Sequence, residues 1–329
     1  MSTAETPPRP GPAWQRSALR RLPWRTIICL VPLAGVAIWA FGHWPTITSG
    51  GHDLWAANRY WLFAALLATA FGWVANAVAR QGTILEPLPP CRLLATQFAA
   101  TAASQLAPAG VGAGAVNLRF LRGCGVPLLR TSAAIALYSI AESVGRVTLL
   151  AVLLIAFPHA LHLHGIAPGR TTLLFLAAAT AIALVAAVLT LALVRPLRRI
   201  IRDFLAAART DVRSLHMRPA RALALWGGSL AFPATQAAGL IAVSRALSLP
   251  VPAGHVAVAY LAATCVAAGI PAPGGVGSVD AALGLALVAA GAPATTATSA
   301  VLGFRIISAW LPLLPAALVL AALVRRKVV

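Results

Sequence analysis

The chain has 329 residues, 60% of them hydrophobic and 10% charged, with a formal net charge of +19. Its mean hydropathy is +0.84. Soluble domains carry about 25% charged residues, so a soluble globular fold is excluded. The basic residues, moreover, collect in short clusters between apolar stretches rather than forming the continuous basic face that nucleic acid would require. The class that remains is an all-α polytopic membrane protein.

In chain order, residues 1–25 are rich in Pro and Arg and read as a disordered basic cytoplasmic tail. Residues 26–42 form the first apolar span. Its end, Phe41-Gly-His-Trp44, has no small-x-small cleavage site, so the expectation is an uncleaved helix rather than a signal peptide. Further full spans are predicted near 60–79, 131–157, 171–194, 222–247 and 297–324, so that 26–329 make a single integral membrane domain. The segment 195–221 places Ile200, Ile201, Phe204, Leu205 and Ala208 on one helical face with arginines on the other. Two readings fit it: a helix lying in the cytoplasmic interface against anionic headgroups, or a cationic loop that only enforces topology.

Most Lys and Arg residues fall on one side of these spans. They cluster between Arg9 and Arg25, at Arg80 and Arg92, at Arg119, Arg122 and Arg130, between Arg195 and Arg221, and at Arg325-Arg326-Lys327, leaving Arg59, Arg170 and Arg245 opposite. The positive-inside rule therefore predicts a multi-pass protein of the cell membrane with both termini in the cytoplasm. Cys29, Cys91, Cys124 and Cys265 lie on different segments without a CxxC pair, and read as buried apolar residues.

Two stretches break the apolar pattern with the same signature: Pro108-Ala-Gly-Val-Gly-Ala-Gly114 and Pro271-Ala-Pro-Gly-Gly-Val-Gly277. Each is followed by an apolar stretch, then by Gly-Val-Pro127 or Gly-Ala-Pro293, then by a long span holding Arg146 or Arg305. The segment before the first break would be roughly 22 Å long as a helix, and that after the second about 20 Å. Both are shorter than the ~30 Å hydrocarbon core. Each break thus reads as the tip of a re-entrant helical hairpin. The first hairpin ends in Arg119 and Arg122 and enters from the cytoplasm; the second has no Lys or Arg from 246 to 304 and enters from outside. The expected architecture is about six full transmembrane helices plus two opposed re-entrant hairpins in an inverted repeat, with the first repeat at 93–157 and the second at 222–324. Such broken, repeated helices point to a binding site at the repeat interface.

The candidate site residues follow from this frame. Pro108, Gly110, Gly112, Gly114, Pro273, Gly274, Gly275 and Gly277 free backbone groups at the two tips. Helices starting there present N–H groups and a positive dipole end suited to an anion such as phosphate, and Ser278 is placed as an N-cap. Asp280 would sit in the first turn of the second such helix, as a cap or as part of a site. Glu142 and Arg146, four apart, form an intrahelical pair serving either packing or a pathway. Arg305 has no acidic residue within one turn and needs a partner such as Asp280 or an anionic headgroup, unless it snorkels to an interface. Gln97, Ser104, Gln105 and Asn117 add uncharged hydrogen-bonding groups near the first tip. His159, His162 and His164 have no carboxylate or thiolate beside them and read as ordinary loop residues, so no metal is expected. No HExxH, GxSxG or Walker sequence occurs, so neither an enzyme nor an ATP-driven pump is expected, and no cofactor is implied.

At Pro273-Gly-Gly-Val-Gly277 with Asp280 three positions later, Gly291-Ala-Pro293 and Gly303-Phe-Arg305-Ile, the chain resembles the lysylphosphatidylglycerol synthetase/flippase membrane-domain family. A weaker first copy, Pro108 to Gly114 with Leu121-Arg-Gly-Cys-Gly-Val-Pro127, extends the resemblance, which runs from about Trp55 to the end. The family pattern usually has Glu where this chain has Asp280, and none of these 329 residues reads as the soluble aminoacyl-transfer domain of the bifunctional members, so lipid synthesis is not expected of them. The resemblance implies a flippase-like lipid translocase acting on a phospholipid or a polyprenyl-phosphate lipid. Two other expectations stay beside it: a secondary transporter of a small anion or zwitterion, and a non-transporting membrane partner of an envelope glycosyltransferase. A homo-oligomer is compatible with either.

Overall fold

The computed structural model describes residues 57–106, 111–158, 160, 217–267 and 278–325, and every regular element among them is helical. Helix α1 (Arg59–Gly82) starts at Asn58, whose Oδ1 accepts the Tyr60 N–H at 3.0 Å. Its far end is held by Arg221, which donates to the carbonyls of Gln81 at 2.9 Å and Leu85 at 3.1 Å. A cation is well placed on the free carbonyls of a helix C-terminus.

Helices α2 (Pro90–Leu106) and α3 (Val111–Gly123) fold back on each other. Gln97 Nε2 donates to Asn117 Oδ1 at 2.8 Å across the pair, and Asn117 Nδ2 donates to Ala113 O at 2.7 Å. Gln97 and Asn117 stand equally far from residue 107, as two helices packed back on each other require, and residues 111–114 of the expected break belong to α3. Helix α4 (Leu128–Ala156) follows. After residue 217 come α5 (Pro219–Ala246), then a second packed pair, α6 (Ala253–Ala267) and α7 (Ser278–Ala289). Helix α8 (Ala294–Arg305) runs through a π turn at Ile306–Trp310 into α9 (Leu313–Arg325). In that turn Leu311 N–H reaches Ile306 O at 2.7 Å. Pro312 follows at once and has no N–H to give, which favours the wider turn before it.

The two halves repeat at one constant offset, that between Gly125 and Gly291. Both glycines have positive φ, +86° and +98°. Both turns make the same bonds: Val126 N–H to Leu121 O (3.1 Å) matches Ala292 N–H to Leu287 O (3.0 Å), and Thr131 N–H to Pro127 O matches Ala297 N–H to Pro293 O, both 2.9 Å. At this offset α1 corresponds to α5, α2 to α6, α3 to α7 and α4 to α8–α9. The correspondence therefore takes in α1, upstream of the start at 93 read from the motifs.

The equivalent helices α1 and α5 run antiparallel and form the most extensive helix contact among the described residues. Asn58 lies at Ala246, Gly72 at Thr235, Ala79 at Gly228 and Gly82 at Leu225. Small residues let the backbones approach: a Cβ on Gly228 would stand 2.6 Å from Ala79 N, and one on Gly145 of α4 would stand 2.7 Å from Ser229 O. Pro233 has no N–H to bond that Ser229 carbonyl within α5, which explains why it is free for Gly145 to approach. The hairpins open towards opposite ends of the bundle. The first opens beside Gly82 and Leu225, where Leu323 of α9 joins its core; the second opens beside Ala246, where Gly254 meets Phe157 at the end of α4.

Among the described residues, three helical stretches are long and apolar enough to cross a membrane, at 59–82, 128–156 and 294–323. Large apolar side chains such as Phe63, Phe71, Ile140, Val147 and Leu318 point outward from them, as lipid-facing residues do. The tail at 1–25, the spans expected at 26–42 and 171–194, most of the basic segment 195–221, and His159, His162 and His164 lie outside the described residues. The expectation of buried cysteines needs correcting: Cys91 and Cys124 are exposed, because they stand at the open end of the first hairpin rather than in its packed interior.

Candidate functional site

A cavity of ≈ 250 Å³ lies where the two hairpins approach α1 and α5. Helix α1 contributes Thr69, Trp73, Asn76 and Arg80, spaced by three or four so that they share one face. Helix α2 adds Gln97, Thr101, Ser104 and Gln105, and Ala113 comes from α3. From the second half come Gln236 on α5, Tyr260 on α6, Val279 and Leu283 on α7, Phe304 and Arg305 on α8, and Ser308 in the π turn. Both repeats thus build one wall each.

Arg305 lines this cavity, and its Nε donates to Oδ1 of Asp280, which stands behind the lining residues. Asp280 sits in the first turn of α7, where its carboxylate complements the dipole, and Arg305 ends α8. Their side chains are 28% and 11% exposed, so the pair is largely withdrawn from solvent. Such a pair is held by mutual neutralisation, and loss of either member strands a buried charge. The partner for Arg305 suggested by the sequence is therefore the one the fold supplies.

Glu142 and Arg146 also pair, at 2.5 Å within α4, each side chain 22% exposed. They do not line the cavity; Tyr260 stands between, within electrostatic reach of Arg305 on one side and of Arg146 and Glu142 on the other. The Tyr260 ring packs edge-on to Phe304 at 5.8 Å. Gly112 and Gly114 lie in the first turns of α3, with open space beside Gly114, and α7 begins at Ser278. Pro108, Gly110, Pro273, Gly274, Gly275 and Gly277 lie outside the described residues. Of the uncharged groups assigned to the first tip, Gln97, Ser104 and Gln105 line the cavity, whereas Asn117 is buried against Gln97 and braces the hairpin.

The charge pattern groups Arg80 with the flanking residues that set topology, and the structure adds a second placement. Arg80 lines the cavity, with Nε donating to Asn76 Oδ1 at 3.2 Å and the guanidinium carbon 4.0 Å from the centre of the Tyr138 ring. Trp73, Gln236 and Tyr260 were also missed. The signal for the α1 face was present in the spacing of residues 69, 73, 76 and 80.

Residues 19–316 match the family described as Lysylphosphatidylglycerol synthase TM region. The chain belongs to this family. The match begins well before Trp55, where the motifs first carried the resemblance. Among curated proteins none matches the chain. The cavity and every residue that lines it fall inside the matched lysylphosphatidylglycerol synthase TM region.

Proposed function

We propose that this member of the lysylphosphatidylglycerol synthase TM family is a lipid translocase of the cell membrane, with no enzymatic activity of its own. It would move an anionic or polyprenyl-phosphate-linked headgroup between leaflets. The observation that carries this reading is Arg305, paired with Asp280, on a polar cavity built jointly by both helix pairs. A cavity of ≈ 250 Å³ suits a headgroup and leaves acyl chains in the surrounding lipid.

In this reading the two hairpins are re-entrant and stand among six spans. The antiparallel pairing of the equivalent helices α1 and α5 supports an inverted repeat. Arg92, Arg119, Arg122 and Arg130, all exposed at the open end of the first hairpin, support a cytoplasmic location for that end and for both termini. The helices starting at Val111 and Ser278 direct their positive ends towards the breaks and assist in holding phosphate. The hairpins would open alternately, one to each side. A second reading, a secondary transporter of a small soluble anion or zwitterion, draws support from the number of polar groups on the cavity wall, which exceeds what the sequence suggested.

Native mass spectrometry of the detergent-purified wild type beside Asp280→Asn and Arg305→Ala tests the proposal, with gel filtration to check folding. A defined anionic lipid retained by the wild type and lost in both variants is the expected result. No bound lipid, or one lipid profile in all three, would overturn it in favour of the soluble solute.

A further inference from the structure

The cavity is one-sided. Its α1 wall runs from Thr69 to Arg80 and takes in no residue between Arg59 and Ala68, so it occupies the half of the bundle nearer the open end of the first hairpin. The other half is filled: Ala65, Leu240, Val243, Leu261 and Phe304 belong to one buried apolar cluster. Phe304 is the boundary between the two. It lines the cavity, yet its ring is buried, edge-on to Tyr260 at 5.8 Å and against Gly239, where a Cβ would lie 3.2 Å from Phe304 Cε2.

The first repeat holds the equivalent residues apart. At the offset between Gly125 and Gly291, Phe304 corresponds to Tyr138 and Gly239 to Trp73. Trp73 lines the cavity and packs edge-on to Phe98 at 4.6 Å instead. The Tyr138 ring carries the Arg80 guanidinium, whose Nε reaches back to Asn76, so Tyr138 stands near the level of Asn76, one turn of α1 past Trp73. The aromatic ring of α8 has thus closed on α5, whereas that of α4 stands about 5 Å along α1 from the matching place. Equivalent elements held in two different positions are what alternating access exchanges, and a slip of one turn is among the discrete shifts that packed helices make. We propose that Phe304 on Gly239 is the seal on the second hairpin's side of the site, and that Tyr138 on Trp73 is the matching seal on the first hairpin's side. One forms as the other gives way, and the space passes from one half of the bundle to the other. The described conformation is the one that faces the first hairpin's open end, the cytoplasm in the topology proposed above. Glycine at 239 fits this role, because a side chain there would crowd the Phe304 ring. The proposal rests on the translocase reading and adds the residues that close the site to each side.

Thiol accessibility tests this without a lipid probe. Asn76→Cys, on the cavity wall, and Ala242→Cys, its equivalent in the filled half, are each placed in a full-length chain whose four cysteines are replaced by serine. Vesicles of both orientations are then treated with a membrane-impermeant maleimide. Asn76→Cys should be labelled in inside-out vesicles, and Ala242→Cys in neither orientation. Adding Phe304→Ala should raise labelling of Ala242→Cys in right-side-out vesicles about tenfold, a population shift of the size that one aromatic contact supports. The same change should lower labelling of Asn76→Cys in inside-out vesicles. Gly239→Ala, whose Cβ crowds the ring, should move both readings in the same directions and serves if Phe304→Ala does not fold. Reciprocity separates a seal from a simple packing defect. A rise at 242 with labelling at 76 unchanged overturns the proposal, as does equal labelling of the two positions without Phe304→Ala, or labelling of Asn76→Cys in right-side-out vesicles alone. Lipid retention is read separately. Failure of reciprocity beside a lipid lost from Asp280→Asn leaves the translocase reading standing, whereas reciprocal labelling in a protein that retains no lipid keeps the seals and moves the cargo to a soluble solute.

Discussion

Arg305 and Asp280 show how far single residues carry the reading. With only seven acidic residues in the chain, an arginine deep in an apolar span has few partners to choose from; chemistry left Asp280 and an anionic headgroup as candidates, and the fold brings Asp280 to it. Arg305→Ala should cost about 3 kcal/mol by stranding the carboxylate, and Asp280→Asn about as much by stranding the guanidinium. The double variant Asp280→Asn with Arg305→Gln should recover part of the loss, and thermal unfolding in detergent measures all three. Arg80 was not legible in the same way. It lies in the last turn of α1, where an arginine at a span end ordinarily marks the cytoplasmic face, and only the fold of α4 across it brings the Tyr138 ring to 4.0 Å.

At the scale of elements, glycine does two different jobs that substitution should separate. Gly125 and Gly291 have open space where a Cβ would stand, so alanine there meets only the backbone penalty of a positive φ, about 1–2 kcal/mol each. A Cβ on Gly82 would come within 2.7 Å of Leu225 Cα, and one on Gly228 within 2.6 Å of Ala79 N. Alanine at either position should cost about 1–3 kcal/mol by forcing α1 and α5 apart. Gly227, one residue away with nothing within 4 Å, should accept alanine with no loss. Unfolding temperatures of the five variants check this order. The turns at Gly125 and Gly291 were readable from the repeated Gly-x-Pro motif. The α1–α5 contact was not, because alanine and glycine in an apolar span carry no charge or periodicity that says what they face.

For the whole molecule, the opposite openings of the two hairpins give a topological prediction. Cys91 and Cys124 are exposed at the open end of the first hairpin. A membrane-impermeant thiol reagent should label both in inside-out vesicles and neither in right-side-out vesicles, read by peptide mass spectrometry. Labelling of Cys91 and Cys124 from opposite faces would mean that α2 and α3 together cross the membrane once instead of folding back on each other.

Composition, charge clustering and the paired proline–glycine motifs by themselves determined that this is a helical membrane protein with a repeated motif and an arginine in an apolar span that needs a partner. Those properties are local or statistical, and the chain states them wherever a proline lacks an N–H or an arginine meets lipid. Which residues face a common space is a different matter. Only the tertiary structure decided that Arg80 and Gln236 share the cavity with Arg305 while Glu142 and Arg146 stand outside it. Side chains far apart in sequence come together there through the antiparallel closure of α1 on α5, set by the contact of small residues.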